Sequence, residues 1–504
     1  MAEYVIIGAG AAGCVLARRL IDAGRSVCLI EAGELYSHAS NIDELGGFTN
    51  IWGSGFDWAL PTTPQVGMNG RQITINQGRI VGGSSAINAM MYVRCNPSDY
   101  QLLSDRTGGK WSAADVETAF AAIENYQDRA APGRYQSGLM SVRNCPDASA
   151  YSPEFQLAAK ELGYKGDDWD YNGPVQKDGA GPLQFNVTLE GKRHSAFSAY
   201  LQPVLTSPLL TLMSGTTVSR IVFAGKRAVA VEAVGPDGER QSIEFDEDVI
   251  VCSGALQSPA LLLKSGIGPA AELRTADVEV VTDLGSVGQN LMDHLQLPMI
   301  YRLAKPLPEP TLLTGNVLFT DINHQGVDGT PDLQLNFTPA APKPLQRMLP
   351  PLGGPVMIFL PIMVQPKSRG TVSMLPDGSI SIDPKYLTEP GDVQLLKNAV
   401  ELVRAFAHTK AMSGLAGEEL APGGVDAEAY IRAGASTLWH PVGTCSIGTD
   451  PADSVVDADL RVHGVEGVRV CDSSVMPRTT TGNNHVPTLV IAEIGARRIM
   501  GARH

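Results

Sequence analysis

The chain has 504 residues, of which 39 are basic, 53 are acidic and 43% are apolar, and its net charge is −14. This length exceeds what one compact core usually holds, so we expect two domains or one interleaved pair, with the composition of a globular protein. The acidic balance and the lack of a Lys/Arg cluster longer than a pair or so predict no nucleic acid partner.

The cysteine pattern, the N-terminal residues and the hydropathy indicate the cellular compartment of the protein. The seven cysteines are scattered without CxxC or Cys/His spacing, which favours reduced thiols and predicts no metal site. A strand-like run begins at Tyr4 and leaves no room for a signal peptide. No apolar stretch reaches the roughly 18 to 20 residues that cross a bilayer. We therefore expect a cytoplasmic protein without a transmembrane segment.

The first elements of the chain are predicted to be a strand over residues 4–7, a glycine turn, a helix over about 12–23 and a second strand over 27–31. This strand, helix and strand order around a GxGxxG turn is typical of a dinucleotide-binding unit. The sequence contains no other GxGxxG flanked by a strand, so we expect a single dinucleotide cofactor.

Each conspicuous residue of this unit has a physical reason to be there. Gly8 permits the tight turn, Gly10 presents no side chain to a pyrophosphate, and Gly13 lets the helix lie close to the strand. Small residues at Ala11 and Ala12 leave the helix N-terminus open to phosphate. Glu31 ends the second strand, where a carboxylate accepts hydrogen bonds from a ribose diol, which favours FAD or NAD over NADP.

Six longer stretches carry a resemblance to a known family. They are GRIVGGSSAINAMMYVRCNPSDY (78–100), GALQSPALLLKSGIGP (254–269), GQNLMDHLQ (288–296), SRGTV (368–372), WHPVGTCSIG (439–448) and VVDADLRVHGVEGVRVCDSSVMP (455–477). In this order, and over nearly the whole chain, they resemble the glucose-methanol-choline (GMC) oxidoreductases. Several long motifs in register are far more specific than any one of them.

The resemblance implies an α/β fold in which a Rossmann-type FAD-binding domain is interleaved with an α+β substrate-binding domain. The expected FAD-binding domain comprises 1–105, 190–297 and 428–504, and the expected substrate-binding domain comprises 106–189 and 298–427.

Within the substrate-binding domain, QLNF (334–337) and VMIFLPIMV (356–364) are predicted strands, since they are rich in β-branched and aromatic residues. Residues 130–150 and 303–330 are punctuated by Pro and Gly and are predicted to be surface loops.

The resemblance also implies which residues hold FAD. The GRIVGGSSAIN stretch supplies small, hydrogen-bonding groups that can approach a diphosphate closely. Some family members attach FAD to a histidine in this stretch, and because Ile87 stands at the matching position we expect FAD to be noncovalent. Besides Gly8, Gly10, Ala11, Ala12, Gly13 and Glu31, the expected cofactor-binding residues are Ala32, Arg79, Gly82, Gly83, Ser84, Asn88, Met90, Val218, Asp472, Ser473 and His485.

His440 stands at the position of the family's catalytic base. An alcohol releases hydride only if its hydroxyl proton is also removed, and a neutral imidazole does this well near pH 7. The family pairs this base with an Asn or His near the C-terminus, where the chain reads TTTGNNHVPTLVIAE (479–493). Aligning this run assigns Asn483 to the catalytic position and places His485 near the pyrimidine edge of the flavin. The alternative pairs His440 with His485.

The predicted reaction is the oxidation of a primary alcohol to an aldehyde, with reduced FAD reoxidised by O₂ or by a quinone-like acceptor. Trp439 and Met91 indicate an apolar or aromatic substrate pocket. The order Trp-His-Pro is similar to bacterial family members of the hydroxymethylfurfural oxidase and pyridoxine oxidase kind, which oxidise aryl or heteroaryl carbinols. Two alternatives stay open: an alcohol dehydrogenase that uses a quinone-like acceptor, and a lyase or photodecarboxylase of the same family.

Overall fold

The structure is a computed structural model that describes residues 1–36, 42–47, 51–128, 131–166, 169–323, 329–342 and 352–501. Its strands, in chain order, are β1 Ala2–Ile7, β2 Val27–Ile30, β3 Leu60–Pro61, β4 Thr74–Ile75, β5 Glu124–Tyr126, β6 Met140–Asn144, β7 Gly179–Pro182, β8 Gln184–Phe185, β9 Leu210–Met213, β10 Thr217–Ala224, β11 Arg227–Val234, β12 Arg240–Val251, β13 Ile267–Gly268, β14 Thr282–Asp283, β15 Leu295–Gln296, β16 Met299–Leu303, β17 Asn316–Thr320, β18 Leu333–Thr338, β19 Val356–Met363, β20 Thr371–Met374, β21 Ile380–Asp383, β22 Ala416–Ala421, β23 Ser436–Thr437 and β24 Val468–Val470.

The α-helices are α1 Ala11–Asp22, α2 Ser84–Ile87, α3 Pro97–Arg106, α4 Ala113–Ile123, α5 Pro153–Glu161, α6 Gly254–Lys264, α7 Ala270–Thr275, α8 Pro390–Ala407, α9 Ala427–Gly434 and α10 His485–Gly501. Within the described ranges, no helix combines the length and the hydropathy needed to span a membrane.

The first sheet has seven strands in the order β10-β11-β12-β1-β2-β9, with β24 beside β12. β1 and β2 are parallel neighbours with four buried apolar residues each, as expected for strands covered on both faces. The long strand β12 pairs antiparallel with β11 in its first half and parallel with β1 in its second half. Helix α1 packs on α10, and Arg19 forms an ion pair of 2.7 Å with the buried Glu493 between them.

The second sheet is antiparallel throughout, with the order β22-β16-β19-β18-β17-β7 and the short strands β15 and β23 at one side. The predicted strands 334–337 and 356–364 lie in β18 and β19. An aromatic cluster fills the space between this sheet and helices α5 and α8. In this cluster the ring of Phe155 stacks on Phe337 at 5.2 Å and on Phe406 at 5.1 Å.

Two predicted surface loops contain buried strands, so those predictions are wrong in part. β6 lies inside 130–150, with Met140 and Val142 fully buried. β17 lies inside 303–330, and all five of its residues are buried between β18 and β7. The flanking Pro and Gly residues dominate the sequence pattern in these two segments. The short apolar stretches between them form strands only because they pair with strands from distant parts of the sequence. Residue 130 and residues 324–328 lie outside the described residues.

Helix α4 bears on the predicted domain boundary. It packs on α10, and its residues Val116 and Phe120 belong to the hydrophobic core that surrounds the first sheet. This packing favours a boundary further along the chain than residue 106. The division into domains at the expected residues stays a prediction.

Candidate active site

A cavity of about 710 Å³ lies between the two sheets. Gly8, Glu31 and Val218 line it from the side of the first sheet. Asn336 and Ile358 line it from the second sheet. The site is therefore assembled from segments that are far apart in sequence.

The first glycine turn has the geometry expected for a phosphate cradle. Gly8 adopts a positive φ of 102°, and its N–H donates to the carbonyl of Ile30 at 2.8 Å. A Cβ on Gly13 would lie 1.9 Å from the Gly8 oxygen, so helix and strand can pack this closely only around glycine. A Cβ on Gly10 would meet nothing nearer than the Cα of Gly83 at 4.0 Å. The backbone at Gly10 and the N-terminus of α1 are therefore open to the cavity.

Glu31 is buried at the end of β2 and lines the cavity. Its carboxylate accepts hydrogen bonds from the backbone N–H groups of Ala9 at 2.8 Å and Gly33 at 2.9 Å. Burial raises its pKa to about 7, while these two N–H groups act to lower it. A carboxylate has about four acceptor sites, which is more than these backbone groups occupy, so Glu31 can also accept from a ribose diol.

The second glycine-rich stretch packs directly on the first. The N–H of Gly82 donates to the carbonyl of Ala9 at 2.7 Å, and a Cβ on Gly83 would lie 2.6 Å from the Cα of Gly10. Asn88 lines the cavity with its side-chain oxygen held by Arg193 Nη1 at 2.8 Å and by the N–H of Met90 at 2.9 Å. The two stretches together form one continuous wall.

Most of the predicted cofactor-binding residues are brought together on the wall of the cavity: Gly8, Gly10, Ala11, Ala12, Glu31, Ala32, Gly83, Ser84, Asn88, Met90, Val218, Asp472, Ser473 and His485. Among the described residues, Gly13, Arg79 and Gly82 do not line it. Arg79 instead places its guanidinium 5.1 Å from the ring centre of Trp58, which does.

Asp472 follows β24 and has a structural role as well as a position on the cavity wall. It caps the 3₁₀ turn Ser473–Val475 by accepting from the N–H of Ser474 at 2.8 Å. It also accepts from the first residue of α6, Gly254, at 2.9 Å and from the hydroxyl of Ser258 at 2.6 Å. Its carboxylate thus fixes two helix N-termini beside the cavity.

His440 faces the cavity between two polar neighbours. Its Nδ1 lies 3.0 Å from Nδ1 of His294, and its Nε2 lies 3.3 Å from Nδ2 of Asn483. Burial, with His294 and His485 nearby, holds the pKa of His440 well below its usual value of 6.5. The imidazole is therefore neutral at pH 7 and has one lone pair available to accept a proton.

The backbone around His440 is fixed by Asp293, which is buried. This carboxylate accepts from the N–H of His440 at 2.8 Å, from the hydroxyl of Tyr386 at 2.6 Å and from the hydroxyl of Thr437. Burial raises its pKa to about 6, so it is ionised at pH 7. The same Thr437 hydroxyl accepts from the N–H of Trp439, which has an unusual positive φ of 63°. These bonds hold the His440 side chain toward the cavity.

The turn that bears Asn483 is fixed from another direction. The N–H and hydroxyl of Thr481 donate to Asp99 at 2.9 and 2.7 Å, and a Cβ on Gly482 would lie 2.6 Å from Val93. The Asn483 oxygen accepts from Gln334 Nε2 at 3.4 Å, so its amide nitrogen faces His440.

His485 begins α10 and lines the same cavity. Burial lowers its pKa to about 4, with the charge of Arg193 acting in the same direction, so the ring is neutral at pH 7. No hydrogen bond joins the His485 ring to His440 within the described residues.

Comparison with known proteins agrees with this architecture. Two family models described as GMC oxidoreductase match residues 2–296 and 366–492. The chain belongs to the GMC oxidoreductase family. It is an FAD-dependent oxidoreductase that acts on alcohols, and the predicted family, enzyme class and fold class are confirmed.

Individual GMC oxidoreductases match the chain over almost its full length. The oxygen-dependent choline dehydrogenase of Paraburkholderia phymatum is 35% identical, with 99% of this chain and 92% of the relative covered. The alcohol dehydrogenase (acceptor) of Pseudomonas putida is 32% identical, with 99% and 96% covered. The crystal structure of pyridoxine 4-oxidase from Mesorbium loti superposes with a TM-score of 0.91 at 32% identity, with 100% of both chains covered.

The cavity of this GMC oxidoreductase fits FAD. The open backbone at Gly10, the helix N-terminus behind it and the carboxylate of Glu31 supply the donors and acceptors that a dinucleotide needs. The cavity then continues to His440 and the second sheet, which leaves room beyond the nucleotide site for a flavin ring and a small substrate.

No group of three or more His, Cys, Asp or Glu residues in the described part of the chain could hold a metal ion.

Sequence reasoning missed four residues of the site, namely Asp293, His294, Gln334 and Asn336. The first two lie in GQNLMDHLQ, where an adjacent Asp and His flanked by Leu and Met on one side and Leu on the other were the available signal. The other two occupy alternate positions of β18, whose side chains share one face of the sheet. Both amides are buried, and polar residues at period two in a buried strand were the available signal there.

Proposed function

We propose that this protein oxidises a primary, aromatic or heteroaromatic alcohol to the aldehyde, with His440 as the general base, noncovalent FAD as the cofactor and O₂ as the electron acceptor. The observation that carries the proposal is a neutral imidazole, rigidly held at the cavity wall, with an amide N–H₂ group 3.3 Å from its Nε2. FAD, when bound, supplies the hydride acceptor.

The protein's own residues handle the hydroxyl group of the substrate. Nε2 of His440 accepts the hydroxyl proton, and the amide of Asn483 donates to the substrate oxygen and holds it beside the base. Asp293 keeps the backbone of His440 in place while this happens. A fixed base and a fixed donor convert proton removal into a step that needs no rearrangement of the protein.

An aromatic alcohol is supported by the apolar part of the lining. The rings of Trp52 and Trp439 lie 4.8 Å apart at 40°, and both line the cavity together with Met91. One buried polar atom of a residue on this wall, Nε1 of Trp439, has no hydrogen-bond partner within the described residues. A heteroaromatic alcohol with polar ring atoms or substituents suits such a mixed lining.

The relatives support both candidate electron acceptors. The name of the Mesorbium loti enzyme and that of the oxygen-dependent choline dehydrogenase favour O₂. The Pseudomonas putida relative is named for an unspecified acceptor and favours the second candidate, an alcohol dehydrogenase that uses a quinone-like compound.

The deciding experiment is anaerobic flavin reduction followed by exposure to air. A panel of aryl and heteroaryl carbinols is mixed with the FAD enzyme, and bleaching of the flavin absorbance identifies substrates. His440→Ala should keep its FAD and reduce it about 10² to 10⁴ times more slowly, as expected when a general base is removed. His408→Ala, which truncates an exposed histidine after α8, is the matched control.

The outcomes separate the alternatives. Normal reduction in His440→Ala would remove the base from the proposal. Rapid reoxidation in air with formation of hydrogen peroxide supports the oxidase, and persistence of reduced flavin until a quinone is added supports the dehydrogenase. If no alcohol bleaches the flavin, while cyanide is released from a cyanohydrin or CO₂ is released in light, the alcohol oxidation proposed here is wrong.

A further inference from the structure

His294 lies behind the proposed base, buried and away from the cavity wall. Its Nε2 is 3.0 Å from the carbonyl oxygen of Val364 and 2.9 Å from that of Thr480. Carbonyl oxygens only accept hydrogen bonds, so Nε2 of His294 must carry a proton.

Nδ1 of His294 must then be a bare nitrogen at neutral pH. Burial lowers the pKa of His294 to about 4, so the ring is neutral and its single N–H is the one on Nε2. This lone pair on Nδ1 points at Nδ1 of His440, 3.0 Å away. A bare nitrogen accepts only from a donor, so His440 must carry its proton on Nδ1.

The other side of the His440 ring imposes the same arrangement. Nε2 of His440 faces the amide nitrogen of Asn483 at 3.3 Å, and the oxygen of that amide is turned toward Gln334. The N–H₂ group of Asn483 therefore faces Nε2 of His440, which can form a hydrogen bond with it only by accepting through a bare lone pair. In the opposite tautomer, the bare Nδ1 of His440 would face the bare Nδ1 of His294, and the N–H on Nε2 of His440 would face the N–H₂ group of Asn483.

We propose that His294 is a positioning residue that fixes His440 in the tautomer with its proton on Nδ1 and its lone pair on Nε2, the nitrogen that faces the cavity. This inference rests on the proposed role of His440 as the base. The backbone carbonyls of Val364 and Thr480 thus determine, through two imidazole rings, which nitrogen of His440 can accept the substrate proton.

A spectroscopic test reads the tautomer directly. In two-bond ¹H–¹⁵N spectra of the FAD enzyme labelled at histidine, His440 should show a protonated Nδ1 and a bare Nε2. His294 should show the reverse, with a protonated Nε2 and a bare Nδ1. Signals are assigned by their loss in His440→Ala and His294→Asn. A bare Nδ1 on His440 in the unmodified enzyme would overturn the inference whatever the variants do.

A matched pair of substitutions tests the consequence for the reaction. His294→Asn places an amide oxygen near the position of Nδ1 and keeps an acceptor for His440, whereas His294→Gln extends its amide toward the two carbonyls and removes that acceptor. The Asn variant should reduce FAD within about tenfold of the parent enzyme, since one hydrogen bond is replaced by another. The Gln variant should be slower by about 10²-fold or more, close to the loss of the base itself.

Failure of this inference is distinguishable from failure of the proposed function. If His440→Ala is slow while His294→Gln is as fast as His294→Asn, the base assignment stands and the positioning role is wrong. If His440→Ala reduces FAD normally, the proposed function fails first. Bound FAD per chain and the midpoint of thermal unfolding are measured for each variant, so a loss of cofactor is not mistaken for a loss of base.

Discussion

Removal of the Asn483 side chain is the sharpest test of which residue assists His440. Asn483→Ala deletes the N–H₂ group that lies 3.3 Å from Nε2 of His440 and leaves the turn held by Thr481 and Asp99. A single fixed donor at a reacting oxygen contributes about 10² to 10³ in rate, or roughly 2.7 to 4 kcal/mol. We therefore expect Asn483→Ala to slow flavin reduction by about 10² to 10³.

The comparison variant is His485→Ala, and the assay is the rate of anaerobic flavin reduction at saturating alcohol. The His485 ring is uncharged at pH 7, because burial lowers its pKa to about 4, and it makes no hydrogen bond to His440 within the described residues. Its removal should therefore cost less than the removal of Asn483. A larger loss in His485→Ala would transfer the partner role to His485 and refute the reasoning from these contacts.

Three further predictions concern protonation, attachment and the glycine turn. The folded structure lowers the pKa of His440, so its imidazole stays neutral as the pH falls through 6.5. The rate of flavin reduction should therefore stay constant over this range and decline only at lower pH, where the imidazole gains a proton. A midpoint at or above pH 6.5 in the pH profile of this rate would contradict the prediction. Acid precipitation should release all of the yellow colour into the supernatant, since Ile87 offers no atom for a covalent bond to FAD, and colour in the pellet would disprove noncovalent binding. Gly10→Ala should fold with an unchanged midpoint of thermal unfolding but purify with little FAD, because its Cβ enters the open cavity. Gly13→Ala should fail to fold stably, since its Cβ would lie 1.9 Å from a backbone oxygen. Full FAD content in Gly10→Ala would show that the pyrophosphate lies elsewhere.

The parts of the fold that the sequence predicted well are those encoded by short-range patterns. The first strand, turn, helix and strand were predicted to within two residues at every boundary, because turn glycines and apolar runs determine such a unit locally. β17 was missed for the opposite reason. Its five residues form a strand because β7 and β18, from distant parts of the chain, pair with both of its edges.

The candidate site shows the same division. His440 and Asn483 were predicted from motifs that resemble the family, whereas their supporting residues depend on tertiary contacts. His294 reaches His440 only because the chain at 292–294 pairs with the chain at 438–442, where the N–H of Leu438 donates to the His294 carbonyl at 2.8 Å. No local pattern in GQNLMDHLQ specifies that pairing, so its histidine could be noticed in the sequence but not given a role.

The position of α10 beside the cavity has a consequence for biosynthesis. Gly8 and His485 line the same cavity, although they lie 477 positions apart in the sequence. A growing polypeptide that has not yet extended past residue 485 contains the glycine turn and the wall from the second sheet, but not helix α10, whose first residue completes the lining. We therefore expect the flavin to bind only after α10 has left the ribosome, so ribosome-bound chains that end before residue 485 should remain colourless.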